Sequence, residues 1–194
     1  MDNLTRPTGT SAVLAGLSWC VAVVLHNTQP QGCVGESCAV RPMRESTALT
    51  EVLFLLAGAA LAVSMGGLLL MVRRREAHVR IGWIARVACA LATILFSIAA
   101  LMSAVHPDWN GMPLVVLPAV ATLVLGLVLL VVLLWTTRLL PRVVIILLLV
   151  TVVLLPLANE QTSMILWTVP FGLAWAALGA FLLTGRQGNV AEKS

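Results

Sequence analysis

His26, Cys33, Cys38, Glu51, His106, Asp108 and Glu160 are the residues of this chain best suited to chemistry. Cys33 and Cys38 flank Val34-Gly35-Glu36-Ser37, a spacing that suits a small disulfide ring in an oxidising compartment. On the chain-entropy account so short a ring stabilises by only about 2 kcal/mol. Free thiols, metal-binding thiols and catalytic thiols are the alternatives. Against catalysis, there is no C-x-x-C and no second loop pair to relay electrons. Cys20 and Cys89 sit inside apolar runs and read as small packing residues.

The other five side chains offer two imidazoles and three carboxylates. Together they could hold a divalent cation or exchange protons, provided that the segments bearing them converge. His26, Glu51, His106, Asp108 and Glu160 are the catalytic candidates, and His26, His106 and Asp108 are also the metal-ligand candidates. No H-x-x-x-H or H-E-x-x-H spacing puts two ligands on one helical turn, so each residue could equally be a solvated helix end. Glu51 is expected slightly below the headgroups, where pairing with Arg41, Arg44 or a protonated His106 would relieve its burial. His78, in an arginine run, reads as solvated. Beyond that possible metal no cofactor is expected.

The elements that must position these residues are apolar. Of 194 residues 60% are hydrophobic and only 10% charged, against roughly a quarter charged in a soluble domain. Six runs approach the roughly 20 residues that cross the bilayer core as a helix: about 11–26, 47–72, 81–105, 114–136, 140–158 and 163–184. Residues 185–194 form a polar tail. The expected fold is therefore all-α, a polytopic bundle of six transmembrane helices in one domain. The first run resembles a signal peptide, but no small-x-small site follows, so it reads as an uncleaved helix. No internal repeat points to an inverted-repeat transporter.

The net charge of +4 comes almost wholly from arginines, and these stand at run ends. Membrane orientation accounts for them better than nucleic-acid binding does, and no nucleic-acid partner is expected. Arg6, Arg73, Arg74, Arg75, Arg80, Arg138, Arg142, Arg186 and Lys193 fall on one side, with Arg86 just inside the third run; only Arg41 and Arg44 fall on the other. Both termini are thus predicted in the cytoplasm, with three loops outside a bacterial plasma membrane. Trp83 and Trp135 fit the inner interface, Trp109 and Trp167 the outer one, and Trp19 and Trp175 the interior.

Helices in lipid associate by close packing of small residues. The expected stripes are Gly58, Ala62 and Gly66 in the second helix and Gly172, Ala176 and Ala180 in the sixth, with Gly67 and Gly179 widening them. Pro118, Pro156 and Pro170 would bend the outer helix halves and could open an outward cavity. The middle thirds of the helices offer only hydroxyls and thiols as polar groups, among them Ser18, Ser64, Thr93, Ser97, Thr122 and Thr151. Ion-coupled carriers need an ionisable residue there.

The six runs, His106-Pro107-Asp108-Trp109-Asn110 and Trp167-Thr168-Val169-Pro170-Phe171-Gly172 resemble small bacterial integral membrane proteins of a six-span domain-of-unknown-function family. That resemblance implies a plasma-membrane protein of unassigned activity and brings no catalytic residues. The leading expectation is a non-catalytic protein whose outer half binds a lipid, another apolar ligand or a membrane-protein partner. The alternatives are a membrane-embedded metal-assisted hydrolase and a facilitative transporter.

Overall fold

A computed structural model describes residues 3–34, 42–75, 79–105 and 112–184. Among them the fold is all-helical: α1 (Thr5–Asn27), α2 (Ala48–Arg73), α3 (Val79–Val105), α4 (Met112–Thr137), α5 (Arg142–Leu154) and α6 (Val169–Leu183). A 3₁₀ turn at Leu155–Leu157 follows α5, and 3₁₀ turns at Ser163–Thr168 lead into α6. Five segments are long and apolar enough to cross a membrane: α1, α2, α3, α4 and Ser163–Leu183. The remaining apolar segment, Arg142–Leu157, is shorter.

Two boundaries depart from the sequence expectation. α1 starts six residues earlier and spans 23 residues, because Pro7 falls in its first turn, where no N–H is needed. The fifth run gives only 13 α-helical residues. Pro156 cannot supply the next N–H, so the chain tightens, with the Leu155 N–H donating to the Val152 carbonyl. Pro170 does not bend α6; it lies in the first turn and helps start it. Pro118 is internal to α4.

α1 packs between α2 and α6, while α3 and α4 form a hairpin that meets the rest more sparsely. α5 bridges α4 and α6. Contacts define two ends. At one, Gly9 lies against Leu183, Thr8 against Gly67, and Arg75 Nη1 donates to the Thr137 carbonyl at 3.4 Å. At the other, Arg44 reaches the carbonyls of Glu160 and Thr162. The segment from Arg142 to Glu160 therefore runs from the first end to the second, and α1 starts at the end where α6 finishes.

The α1–α6 seam is built from four glycines. Cβ atoms added at Gly16 or Gly179 would collide with backbone of the facing helix, 2.6 Å from Ala176 N and from Val13 N respectively. One at Gly172 would lie 2.6 Å from Cys20 Sγ, and one at Gly9 2.9 Å from Leu183. On α6 the stripe is thus Gly172, Ala176 and Gly179, and Ala180 is exposed. The Gly58-Ala62-Gly66 stripe makes no such contact: Gly58 and Gly66 are exposed with open space above them. α2 instead turns Ala57, Leu61, Ser64 and Leu68 inward, with Gly67 under Thr8. Both stripes recur every four residues, and spacing alone does not say which side a neighbour occupies.

Candidate functional site

At the second end the chain closes over itself through Arg44. Only 7% of this residue is exposed. Its Nε donates to the Pro30 carbonyl at 3.0 Å, and Nη1 to those of Glu160 and Thr162 at 3.1 and 3.3 Å. Its backbone N–H donates to Gln161 Oε1 at 2.7 Å. The same glutamine accepts the Gly32 N–H on its carbonyl at 2.9 Å and donates its own N–H to Asn159 Oδ1 at 2.9 Å. Cys33 is buried in this layer, its N–H donating to the Pro42 carbonyl at 3.1 Å. One guanidinium thus ties the α1–α2 connection to the α5–α6 connection through three backbone carbonyls, of which that of Thr162 also accepts the Ile165 N–H.

His26 lies beneath this cap, 6% exposed, beside Arg44 and the backbone of Glu160. Its Nδ1 is the buried side-chain nitrogen or oxygen left without a partner among the described residues. From its ring a column of aromatic contacts descends: His26–Phe54 at 6.1 Å, Phe54–Trp19 at 5.7 Å, Trp19–Phe171 at 6.3 Å and Phe171–Trp175 at 5.6 Å. The first three are edge-to-face, the geometry ring quadrupoles favour. Both indole N–H groups are satisfied. Trp19 Nε1 donates to Thr168 Oγ1 at 3.0 Å, and Trp175 Nε1 to Ser64 Oγ at 2.9 Å. Each hydroxyl then donates to the carbonyl three residues earlier in its own chain. The crease between Gly16, Trp19, Leu61, Phe171 and Trp175 holds no water-sized cavity.

Ser64→Ala should leave the Trp175 N–H buried and unpaired. We expect a loss of about 0.5–2 kcal/mol, the range for hydrogen bonds between membrane helices. Chemical denaturation in detergent measures it, and Ser64→Thr, which restores a hydroxyl, should recover part of the loss.

The described residues bring His26 and the Glu160 backbone together, but not Glu51. Glu51 is exposed in the first turn of α2 and accepts from Ser46 Oγ at 2.5 Å. A carboxylate there complements the helix N-terminus, whose Thr50 N–H donates to Thr47 Oγ1. Its expected partner Arg44 is committed to carbonyls. His106, Asp108 and Cys38 lie outside the described residues, as do Arg41, His78 and Trp109. Among those described, no three His, Cys, Asp or Glu side chains cluster as metal ligands. The sequence alone assigns no structural role to Asn159 or Gln161 and offers Arg44 only as a partner for Glu51. The available signals were an arginine in an otherwise cation-poor loop and the polar run Asn159-Glu160-Gln161-Thr162.

The flank of the α3–α4 hairpin is the second feature of this end. From Ala92 to Met102 only Ala92 and Ala99 are buried, and from Met112 to Leu125 only Ala119 is. Leu101, Leu114 and Leu117 are 65%, 78% and 68% exposed. The large buried side chains of α4, Leu127, Leu130, Leu133 and Leu134, all belong to the opposite half, where they join the core with Leu68, Leu148 and Leu178. The hairpin is anchored at the arginine-rich end and held to the bundle far less towards the other.

Compared with known proteins, the chain matches no family model, no curated protein and no solved structure.

Proposed function

We propose that this is a non-catalytic, six-crossing protein of the plasma membrane that receives a lipid or other apolar ligand beside the outer half of its α3–α4 hairpin. The observation that carries this is the exposure of Leu101, Leu114 and Leu117 on helices whose other halves are core. In a bilayer such side chains meet acyl chains at no cost, and a hairpin anchored at one end can part from its neighbours to admit one.

The topology in this reading has both termini in the cytoplasm. The start of α1 lies beside the end of α6, whereas five crossings alone would put these two helix ends on opposite sides. α5 with its 3₁₀ turn extends about 25 Å, close to the roughly 30 Å hydrocarbon core. The arginine distribution then sets the direction. On the outer face, Cys33 and Cys38 form a disulfide within the loop that Arg44 pins down. The reading is supported by the burial of Cys33 there and by the contrast with the free thiols Cys20 and Cys89 inside the helices.

Benzoylphenylalanine placed at Leu117 tests the ligand. After detergent washing, irradiation should attach a phospholipid or other apolar small molecule at Leu117 but not at Leu14, an exposed position on α1. Equal lipid adducts at the two positions would reduce the site to ordinary surrounding lipid. A crosslink from Leu117 to another protein would replace the ligand with a membrane partner.

A further inference from the structure

The arginine-rich end shows an arrangement that orientation in a membrane does not require. Orientation needs positive charge on one side, not guanidinia gathered at one corner. Arg75, two residues past the end of α2, reaches across to the last turn of α4 through its 3.4 Å hydrogen bond to the Thr137 carbonyl. From α5, the Arg142 guanidinium carbon lies 5.8 Å from the centroid of Trp135. Between them Arg138 leaves α4 with φ of 51°, a left-handed conformation that disfavours any side chain with a Cβ. The turn so made buries Leu139 and Leu140 and leaves Arg138 exposed.

Three arginines, from the turn after α2, from the α4–α5 corner and from the start of α5, therefore stand at one helix end. All three residues are exposed. Each guanidinium carries five N–H donors, and the observed contacts leave most of them available. In the α2–α3 and α4–α5 connections the sequence contains a single carboxylate, Glu76, which lies outside the described residues. Beside the guanidinia, Trp135 and Val143 expose apolar surface.

We propose that this corner binds the phosphate of an anionic phospholipid, with the acyl chains lying along Trp135 and Val143. Guanidinium forks match phosphate oxygens in paired hydrogen bonds. The adjoining exposed rings and aliphatic groups favour a phosphate that brings acyl chains over a free one. This site is at the opposite end from the α3–α4 flank and stands whether or not that flank takes a ligand.

Native mass spectrometry of the full chain, loaded from mixed micelles of phosphatidylglycerol and phosphatidylcholine, tests it. The wild-type protein should retain phosphatidylglycerol selectively. R75Q/R138Q/R142Q should lower retention on the order of tenfold or more, while R73Q/R74Q/R80Q, with the same charge change, should stay near wild type. R142Q alone, at an exposed position, should lower retention by roughly threefold or more and supplies the readout if the triple variant does not fold. Equal losses in the two triple variants would make net charge sufficient and overturn the proposal. Unchanged retention in R142Q and R75Q/R138Q/R142Q, or release of the lipid by inorganic phosphate alone, would overturn it too.

Discussion

Gly16→Ala should destabilise the protein by about 1–3 kcal/mol, although it adds one methyl group and nominally improves helix propensity. The new methyl would overlap the Gly172 carbonyl and approach Ala176 N and Cβ at 2.6 and 2.9 Å. These atoms belong to the facing backbone and its first side-chain carbon, so α1 and α6 would have to move apart. In lipid the cost falls on the principal source of cohesion, because acyl chains solvate leucine as well as the bundle does. Separation would also stretch the Trp19–Thr168 hydrogen bond and the Trp19–Phe171 contact, which cross the same seam. Gly58→Ala and Gly66→Ala, facing open space, should be neutral or slightly stabilising. Unfolding in mixed detergent compares the three variants; similar losses in all of them would mean that the seam is misplaced.

Arg44→Met should cost about 3 kcal/mol and loosen the polar cap, with the helices below retained. Methionine fills the stem's volume but leaves the carbonyls of Pro30 and Glu160 without their donor and that of Thr162 with only the Ile165 N–H. Removing one partner from a buried charged network is the costly direction, because the remaining groups stay desolvated. Arg44→Lys should recover only part of the loss, since one ammonium cannot span the carbonyls that Nε and Nη1 reach separately. Limited proteolysis of the α1–α2 and α5–α6 connections reports the loosening. Wild-type resistance in Arg44→Met would contradict the pinning role.

Much of the architecture is legible in the chain. Runs of apolar residues dictate helices because unpaired backbone is untenable in hydrocarbon, and length then separates α1–α4 from the shorter fifth segment. The helix ends were less legible: Pro7 is harmless in a first turn, whereas Pro156 ends α5, and only position within the helix distinguishes them. Seams are hidden for a related reason. Gly58 and Gly172 have similar neighbours in sequence, but one faces open space and the other faces Cys20. At the candidate site, Glu51 and Glu160 drew attention as charged groups, yet Glu160 is used chiefly through its backbone carbonyl. Arg44 is the reverse case. Its residue type suggests a partner carboxylate, and the fold gives it three carbonyls, two of them more than 100 residues away in sequence.

The functional reading depends on which end of the bundle faces outward. Glu45 adjoins the Arg44 cap, and Thr184 follows α6 at the arginine-rich end. In a background with every native cysteine replaced by serine, Glu45→Cys should react with a membrane-impermeant maleimide in intact cells, and Thr184→Cys only after permeabilisation. Labelling of both in intact cells, or of Thr184→Cys alone, would contradict the six-crossing arrangement with its polar cap outside.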